Sequence, residues 1–291
     1  MGHAGDPNLS TPQMDRLAAE GVSFERAYAN CPVCTPSRGT IFSGRHAHSG
    51  PVQGFFDVFK ASSPSTATLL REAGYHTAYF GKWHCGAIRD QVPPEMRDNS
   101  PPNCHWPMRT PEYHRGGFQD WYGFEVNNAP FDGFYYQNDE TNPRRMTKYQ
   151  TDELTDLAIE YLNNYEGEEP LFLVLSVEPP HFPLDAPKEN QRFDPAALQT
   201  RGNFTDTPEM REQLAMYYAM IENLDQNIGR LREKVEATPK YENTLTVYFS
   251  DHGDFMGSHN IFQRKEYPHE ESVRIPAVFH WPDQIPAKGL T

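Results

Sequence analysis

Several features are scarce in this 291-residue sequence, and each scarcity excludes a class of protein. No stretch approaches the roughly 20 apolar residues that a membrane-spanning helix needs. The N-terminus, MGHAGDPNLS, shows neither the basic nor the apolar region of a signal peptide. Four cysteines are too few for a disulfide framework in a chain of this length, so they do not indicate a compartment.

Basic residues are also in short supply, with 26 Lys and Arg against 40 Asp and Glu, which gives a net charge of −14. A nucleic-acid-binding surface needs a basic stripe, so this balance argues against one. We therefore expect neither a nucleic acid nor a membrane as partner. Any anion site in so acidic a chain must be built locally, from a few placed cations or a metal.

Helical and strand patterns alternate along the chain. Apolar periodicity and end signals predict helices at 10–21, 66–74, 151–165 and about 207–236, and strands at 76–80, 171–177, 244–250 and 275–281. The runs at 171–177 and 244–250 are continuously apolar, which is typical of strands buried on both faces. We expect one α/β domain over residues 1–291, with a mostly parallel central sheet and helices on both faces. Residues 88–148 break the pattern and indicate a loop-rich excursion.

Three predicted strands end in clusters of polar residues. The clusters are Gly81-Lys82-Trp83-His84, Glu178-Pro179-Pro180-His181 and Asp251-His252-Gly253-Asp254. In open α/β sheets, ligands bind outside the carboxyl ends of the strands. We therefore expect the clusters to converge on one edge of the sheet and to form an anion-plus-metal site.

Each cluster also has an ordinary interpretation. A histidine after a strand is usually a surface or hydrogen-bonded residue, and Lys82 alone would be a solvated cation. Asp251-His252-Gly253 alone could be a turn, since Asp and Gly favour turns. Three clusters at three strand ends favour the site, but they do not name a reaction.

Residues 31–34, CPVC, place two cysteines in a CxxC spacing. Such a pair can be a redox site, which prefers a helix N-terminus after a strand, or half of a zinc site. A zinc site needs a second pair of ligands, and Cys85 and Cys104 are not paired in the sequence. The two cysteines can also be buried or incidental, and the spacing alone leaves these three interpretations open.

A longer segment around this pair, CPVCTPSRGTIFSGR (31–45), resembles the signature of formylglycine-dependent sulfatases, C-x-P-S-R followed by G-R. Further blocks similar to that family follow in order: TPQMDRLAAEGVSFERAYA before the signature, then GKWH, EPPHFP, SDHGDFMGSH and RKEYPHEESVRIP. The resemblance covers about residues 1–85 and 171–281. It implies an alkaline phosphatase-like α/β fold and the hydrolysis of sulfate esters.

The resemblance implies a nucleophile made by modification. Cys34 would be oxidised by a formylglycine-generating or equivalent enzyme to Cα-formylglycine, whose hydrate carries two hydroxyls on one carbon. One hydroxyl attacks sulfur and the other later expels sulfate. Arg38 would stabilise the hydrate, His84 would position it and remove the second proton, and His181 would protonate the leaving oxygen.

The resemblance also implies the binding groups. Lys82 and Lys265 would hold sulfate oxygens, although Arg264 is adjacent to Lys265 and could take its role. Asp251, His252 and the modified Cys34 would hold a divalent metal, Ca²⁺ in the first place and Mg²⁺ as the alternative. The metal would lower the pKa of the attacking hydroxyl and neutralise sulfate oxygens.

The sequence departs from the family at both ends. Members usually begin with an apolar strand that ends in two metal-binding aspartates, whereas this chain begins at MGHAG, which is similar to the segment after that pair. The chain also stops before the usual C-terminal subdomain. Because Ca²⁺ prefers several oxygen ligands, we expect weak metal binding and little activity from a chain of this extent.

Two other functions stay open at this point. A phosphonate or phosphate-ester hydrolase of the same superfamily can share the cysteine signature, and a fragment without its metal site would be inactive. The expected substrate is a sulfated small molecule or carbohydrate, which aromatic residues within 88–148 could stack against. The family is often periplasmic, secreted or lysosomal, but the sequence itself leaves the compartment undetermined.

Overall fold

A computed structural model describes residues 1–87, 89–92, 94, 106–262 and 264–287. Cys104 lies outside these described residues. The chain divides into two compact units, which we call the flanking unit (Met1–Pro32 with Leu184–Thr291) and the middle unit (Val33–Pro183). The prediction that residues 1–291 act as one catalytic domain stays a prediction.

Each predicted helix and strand has a counterpart among the described residues. The structure also contains elements outside those segments, at Val22–Ser23, Ala27–Tyr28, Cys34–Ser43 and Glu270–Val273, and three strands within 88–148. The α-helices are α1 (Pro12–Glu20), α2 (Cys34–Ser43), α3 (Thr66–Glu72), α4 (Gln150–Asn164), α5 (Pro208–Glu236) and α6 (Glu270–Val273). The strands are β1 (Val22–Ser23), β2 (Ala27–Tyr28), β3 (His76–Lys82), β4 (Asp120–Phe124), β5 (Phe134–Gln137), β6 (Arg144–Arg145), β7 (Leu171–Ser176), β8 (Thr246–Phe249), β9 (Arg274–Ile275) and β10 (Ala277–His280). No helix among the described residues has the length and apolar character to cross a membrane.

The middle unit is built on a five-stranded sheet in the order β6-β5-β4-β3-β7. β3 pairs in parallel with β4 and with β7, whereas β5 runs antiparallel to both β4 and β6. The sheet is therefore mixed rather than mostly parallel, because β4, β5 and β6 follow one another as a meander. The meander lies within 88–148, so this segment contributes three strands where the sequence indicated a loop-rich excursion.

Helices cover both faces of β3, as predicted for an α/β fold. Consecutive strand residues point to opposite faces of a sheet. On one face the Tyr79 ring lies 5.9 Å from that of Phe42 in α2, and on the other the Phe80 ring lies 5.5 Å from that of Tyr161 in α4. Tyr79 and Phe80 are both fully buried, so β3 runs through the core of the middle unit.

The flanking unit has a three-stranded antiparallel sheet in the order β1-β10-β8, and a separate pair of β2 with β9. α1 packs against the 29-residue helix α5. Thr11 stands at the N-cap position of α1, but its side chain does not cap the helix. The Asp225 carboxylate of α5 accepts hydrogen bonds from the amides of Gln13 and Met14 instead, at 3.1 and 2.8 Å.

Two apolar strands are less buried than predicted. β7 is half-buried along its whole length, and on β8 the alternate residues Val247 and Phe249 are 40% and 41% exposed. Their apolar sequences predict strands enclosed on both faces. Since alternate residues share a face, one face of β8 is open to solvent within the described residues.

Candidate active site

The candidate site residues of the middle unit begin with Cys34, at the N-terminus of α2. Cys34 is the first residue of this helix, after an extended Val33 that occupies the N-cap position. The first amides of a helix have no partner within the helix and carry partial positive charge, which favours an anionic atom there. Cys34 is 3% exposed. The residue of the predicted nucleophile is thus placed where negative charge on it is stabilised.

The Lys82 carbonyl at the end of β3 ties three elements together. It accepts hydrogen bonds from Arg38 Nη1 at 2.7 Å, from Ser176 Oγ at 2.9 Å and from the Tyr79 hydroxyl. Arg38 Nη1 also lies 2.8 Å from Ser176 Oγ. Because Arg38 is one helical turn after Cys34, these hydrogen bonds hold the start of α2 against the carboxyl ends of the parallel strands β3 and β7.

The Lys82 side chain is buried and paired. Its Nζ lies 2.8 Å from Oε1 of Glu178, and the side chains are 2% and 3% exposed. Burial would raise the pKa of Glu178, but the Lys82 ammonium and further hydrogen bonds hold it below its usual value. The pair is therefore a buried ammonium beside an ionised carboxylate.

His84 stands beside Cys34 and is neutral. Burial lowers the pKa of its imidazole to about 4, an interaction with the Cys34 side chain opposes this shift, and the nearby charge of Lys82 adds to it. Its ring meets those of Phe55 and Trp106 edge to face, with centroids 4.8 and 5.3 Å away. A neutral imidazole held next to the nucleophile can accept a proton at neutral pH.

A second buried carboxylate, Glu125, supports the segment that carries His84. Glu125 directly follows β4 and accepts hydrogen bonds from the Gly86 amide at 3.0 Å and from the Thr110 hydroxyl. A Cβ on Gly86 would lie 2.5 Å from Glu125 Oε1, so only glycine permits this approach. Burial raises the pKa of Glu125 to about 7, against the lowering effect of these hydrogen bonds.

His181 follows β7 in the same unit. Its Nδ1 lies 2.7 Å from the Phe182 carbonyl oxygen, and its amide donates to the Glu178 carbonyl at 3.1 Å. Nδ1–H donates to the carbonyl, so Nε2 is the ring atom that gains or loses a proton. This tautomer suits a group that transfers a proton through Nε2.

The cluster Asp251-His252-Gly253-Asp254 lies in the flanking unit, directly after β8. His252 Nδ1 lies 2.8 Å from the Gly253 carbonyl oxygen, which places a proton on Nδ1 and a lone pair on Nε2. His252 Nε2 and Asp251 Oδ1 are 3.8 Å apart. Two ligands of one divalent ion lie roughly 3–4 Å apart when each is about 2.0–2.6 Å from the metal. Asp251 and His252 therefore fit as neighbouring ligands of one cation.

Lys265 is better placed than its neighbour Arg264 to act with this cluster. Lys265 is half-buried, whereas Arg264 is exposed. Asp254 is mostly buried, and burial raises the pKa of its carboxyl while the charges of Lys265 and His252 lower it. Lys265 thus lies within electrostatic reach of Asp254 in this turn.

The structure brings together within the middle unit four of the predicted residues, Cys34, Arg38, Lys82 and His84, with His181 on the adjoining strand end. Within the flanking unit it brings together Asp251, His252 and Lys265. Sequence reasoning missed the two supporting carboxylates. Glu178 stands directly after a strand and could have been noticed there. Glu125 follows β4, which was not predicted, so nothing in the sequence singled it out.

The middle unit thus has an α/β fold in which the candidate residues collect at the carboxyl ends of parallel strands, where ligands bind in such sheets. A sequence profile of the sulfatase family matches residues 1–290. The Ulvan-active sulfatase of Formosa agariphila is 33% identical over 302 residues, which cover 100% of this chain and 55% of that protein. An arylsulfatase of Clostridium perfringens is 26% identical, over 98% of this chain and 66% of its own.

Solved structures agree with this family. The yidJ protein of Bacteroides fragilis, described as a sulfatase, superposes with a TM-score of 0.88 at 28% identity, over 99% of this chain and 66% of that one. A phosphonate monoester hydrolase of Agrobacterium radiobacter shares the fold, with a TM-score of 0.75 at 18% identity. The chain belongs to the sulfatase family. It spans about half to two thirds of the length of the curated relatives it matches.

Proposed function

We propose that this chain carries the catalytic centre of a sulfuric ester hydrolase, with Cys34 converted to Cα-formylglycine as the nucleophile. The observation that carries the proposal is the placement of Cys34 at the N-terminus of α2, with the neutral His84 beside it and Arg38 one turn further on. As a hydrate, formylglycine supplies one hydroxyl to attack sulfur and a second whose deprotonation releases sulfate. The buried polar surroundings of Cys34 fit such a group.

Each candidate site residue of the middle unit then has a distinct role. The Lys82 ammonium binds an oxygen of the sulfate group, and Arg38 adds positive charge while it fixes the Lys82 main chain. His84, uncharged at neutral pH, accepts a proton at the nucleophilic residue. His181 Nε2 donates a proton to the leaving oxygen, while its Nδ1–H stays on the Phe182 carbonyl.

We assign a divalent cation to Asp251 and His252, Ca²⁺ in the first place and Mg²⁺ as the alternative. The support is their spacing of 3.8 Å and the Nε2 lone pair fixed by the Gly253 carbonyl. The cation would supply charge neutralisation for the sulfate oxygens and a lowered pKa for the attacking hydroxyl. Lys265 would bind a further sulfate oxygen, and Cys34 would become a third metal contact after modification.

The substrate class we propose is a sulfated carbohydrate, and the protein partner is a formylglycine-generating or equivalent enzyme. The similar proteins point to the carbohydrate. Beside the Ulvan-active sulfatase, they include an N-acetylglucosamine-6-O-sulfatase of Bacteroides thetaiotaomicron at 24% identity. The partner enzyme follows from the Cys34–Arg38 signature, which is the motif that such an enzyme reads.

A phosphonate or phosphate-ester hydrolase remains the alternative, since the phosphonate monoester hydrolases share this fold. The test is turnover of 4-nitrophenyl sulfate against a 4-nitrophenyl phosphodiester, with protein made beside an active modifying enzyme and assayed in Ca²⁺ and in Mg²⁺. We expect the sulfate to be preferred. Cys34→Ala should lose at least about a thousandfold in kcat, since the covalent route is removed.

Cys31→Ala is the matched control for that experiment, because Cys31 lies three residues away outside the signature, and its turnover should equal that of the wild type. A preference for the phosphodiester would establish the alternative. Turnover of neither ester by a protein that carries the aldehyde would mean that the chain folds without a working metal site.

A further inference from the structure

Glu178 is a buried carboxylate, and each of its two oxygens has a hydrogen-bonding partner. Oε1 lies 2.8 Å from Lys82 Nζ and 3.4 Å from the Asn127 amide, and Oε2 accepts from Gln150 Nε2 at 3.2 Å. Asn127 and Gln150 are themselves buried. The carboxylate therefore has one orientation, and in it Oε1 is presented to the lysine.

The main chain of Glu178 is held as firmly as its side chain. Its amide donates to Gln150 Oε1 at 3.1 Å, and its carbonyl accepts from the His181 amide at 3.1 Å. Gln150 is the first residue of α4 and also donates to the Asn127 carbonyl at 3.0 Å. Helix α4, the turn after β4 and the turn after β7 thus meet at one residue.

This scaffold matters because of what it does to Lys82. A lysine side chain is a flexible stem with a strongly hydrated charge, and burying that charge without an anionic partner is unfavourable. An ammonium has three N–H groups. With one of them directed to Glu178, the other two are restricted to the remaining directions. The lowered pKa of Glu178 means that the partner is ionised at neutral pH.

We propose that Glu178 is a positioning residue, which keeps Lys82 as an oriented ammonium for a sulfate oxygen and fixes the backbone of His181 beside it. The inference rests on the proposed function, in which Lys82 binds sulfate. It assigns to Glu178 no contact with the substrate. The competing explanation is that the Lys82–Glu178 pair only stabilises the fold.

A double-mutant cycle on sulfate affinity separates the two explanations. Inorganic sulfate is titrated calorimetrically into the full chain as wild type, Glu178→Gln, Lys82→Met and the double variant. We expect Glu178→Gln to weaken sulfate binding about tenfold, an effect typical of partners that orient a ligand-binding group. The same change on the Lys82→Met background should have almost no effect, because there is no longer a charge to orient.

Two further variants serve as a control for another buried carboxylate and as a charge-conserving replacement of Glu178. Glu222→Gln removes another buried carboxylate that is paired with an arginine, Arg192, and it should leave sulfate affinity unchanged. Glu178→Asp keeps the charge but shortens the side chain, so it should fold even if Glu178→Gln does not. Because its carboxylate is drawn back, we expect Glu178→Asp to bind sulfate less tightly than the wild type.

The outcomes are distinct. If a folded Glu178→Gln protein binds sulfate as tightly as the wild type or more tightly, the positioning role is overturned, but the proposed function is not. If only Glu178→Asp folds, the same result for that variant has the same consequence. An equal loss on the Lys82→Met background does the same. A wild-type chain that binds no sulfate overturns the proposed function, and this inference with it.

Discussion

At the scale of single residues, the chemistry of the candidate site depends on tertiary partners more than on residue type. Lys82 and His84 are two positions apart in the sequence, yet one is a buried ammonium and the other a neutral imidazole. The difference comes from Glu178, whose carboxylate pairs with Lys82, and from burial of His84 against Phe55 and Trp106. The residue types could be predicted from the strand ends, but Glu178 lies 96 positions from Lys82, and Phe55 and Trp106 lie 29 and 22 positions from His84, so no local pattern pairs them.

Replacing His181 by Ala tests its assignment as the proton donor. General acid catalysis matters most when the leaving group is a strong base. We expect His181→Ala to slow sulfate esters of alkyl alcohols by about 10²–10⁴-fold and to slow 4-nitrophenyl sulfate much less. The measurement is kcat over a series of esters with graded leaving groups.

His48→Ala is a suitable control for this series, since His48 is exposed on a short 3-10 helix of the same unit. Its rates should match the wild type throughout. An equal loss for His181→Ala on good and poor leaving groups would contradict the role as acid.

Glu125 predicts a pH dependence of stability. Its pKa is raised from 4.5 to about 7 in the folded protein, so the folded state binds a proton that the unfolded state releases earlier. The stabilisation is complete below pH 4.5 and is lost as pH rises through 7, with a size of about 3 kcal/mol. Glu125→Gln removes this titration.

The free energy of unfolding, measured with urea at pH 5 and pH 8, checks this expectation. The wild type should lose stability relative to Glu125→Gln between these two values. Parallel curves for the two proteins would show that Glu125 is already ionised at pH 5 in the folded state.

At the scale of elements, local signals located most segments but not their neighbours. Apolar periodicity predicted α4 and α5, and apolar runs predicted β3, β7 and β8. β4 was missed because its sequence, DWYGF, is short and includes a glycine, and Pro and Asn are frequent around it. It is nevertheless a direct partner of β3. Pairing with β3, rather than propensity, makes this segment a strand.

The start of α1 shows the same dependence on a distant residue. Thr11 occupies the N-cap position, but Asp225 of α5 accepts the two amides. We expect Asp225→Ala to lower the free energy of unfolding by about 1–3 kcal/mol, since it leaves buried N–H groups without acceptors. Denaturation with urea and far-UV circular dichroism measure the change.

The side chain of Thr11 provides the matched comparison. If the N-cap residue itself stabilised the helix, Thr11→Ala would cost as much as Asp225→Ala. We expect Thr11→Ala to cost less, because its hydroxyl bonds Gly2 and Asp15 rather than an amide of α1. A larger loss for Thr11→Ala would contradict the assignment of Asp225 as the cap.

At the scale of the whole molecule, the sequence located all three polar clusters. The structure shows two of them in the middle unit and the third in the flanking unit. The clusters after β3 and β7 follow parallel strands of one sheet, whereas the Asp251–Asp254 cluster follows β8 of a separate antiparallel sheet. The mixed sheet, the division into two units and the open face of β8 could not be predicted, since they depend on which strands pair. Helix and strand patterns constrain pairing only weakly.

The nucleophile gives the most direct test of the proposed function. In a host with an active modifying enzyme, we expect Cys34 to appear as formylglycine and Cys31 to remain a cysteine. Pro36 and Arg38 follow Cys34 at the offsets of the signature, whereas Cys31 has Val33 and Thr35 at those offsets. Only an aldehyde can supply two hydroxyls on one carbon, so an unmodified Cys34 should turn over almost no ester. The CxxC interpretation expects the reverse, with both sulfurs retained and oxidised together. Mass spectrometry of the tryptic peptide that holds both residues distinguishes the two, and an intact Cys34 thiol beside a fully modified control substrate would refute the sulfatase mechanism for this chain.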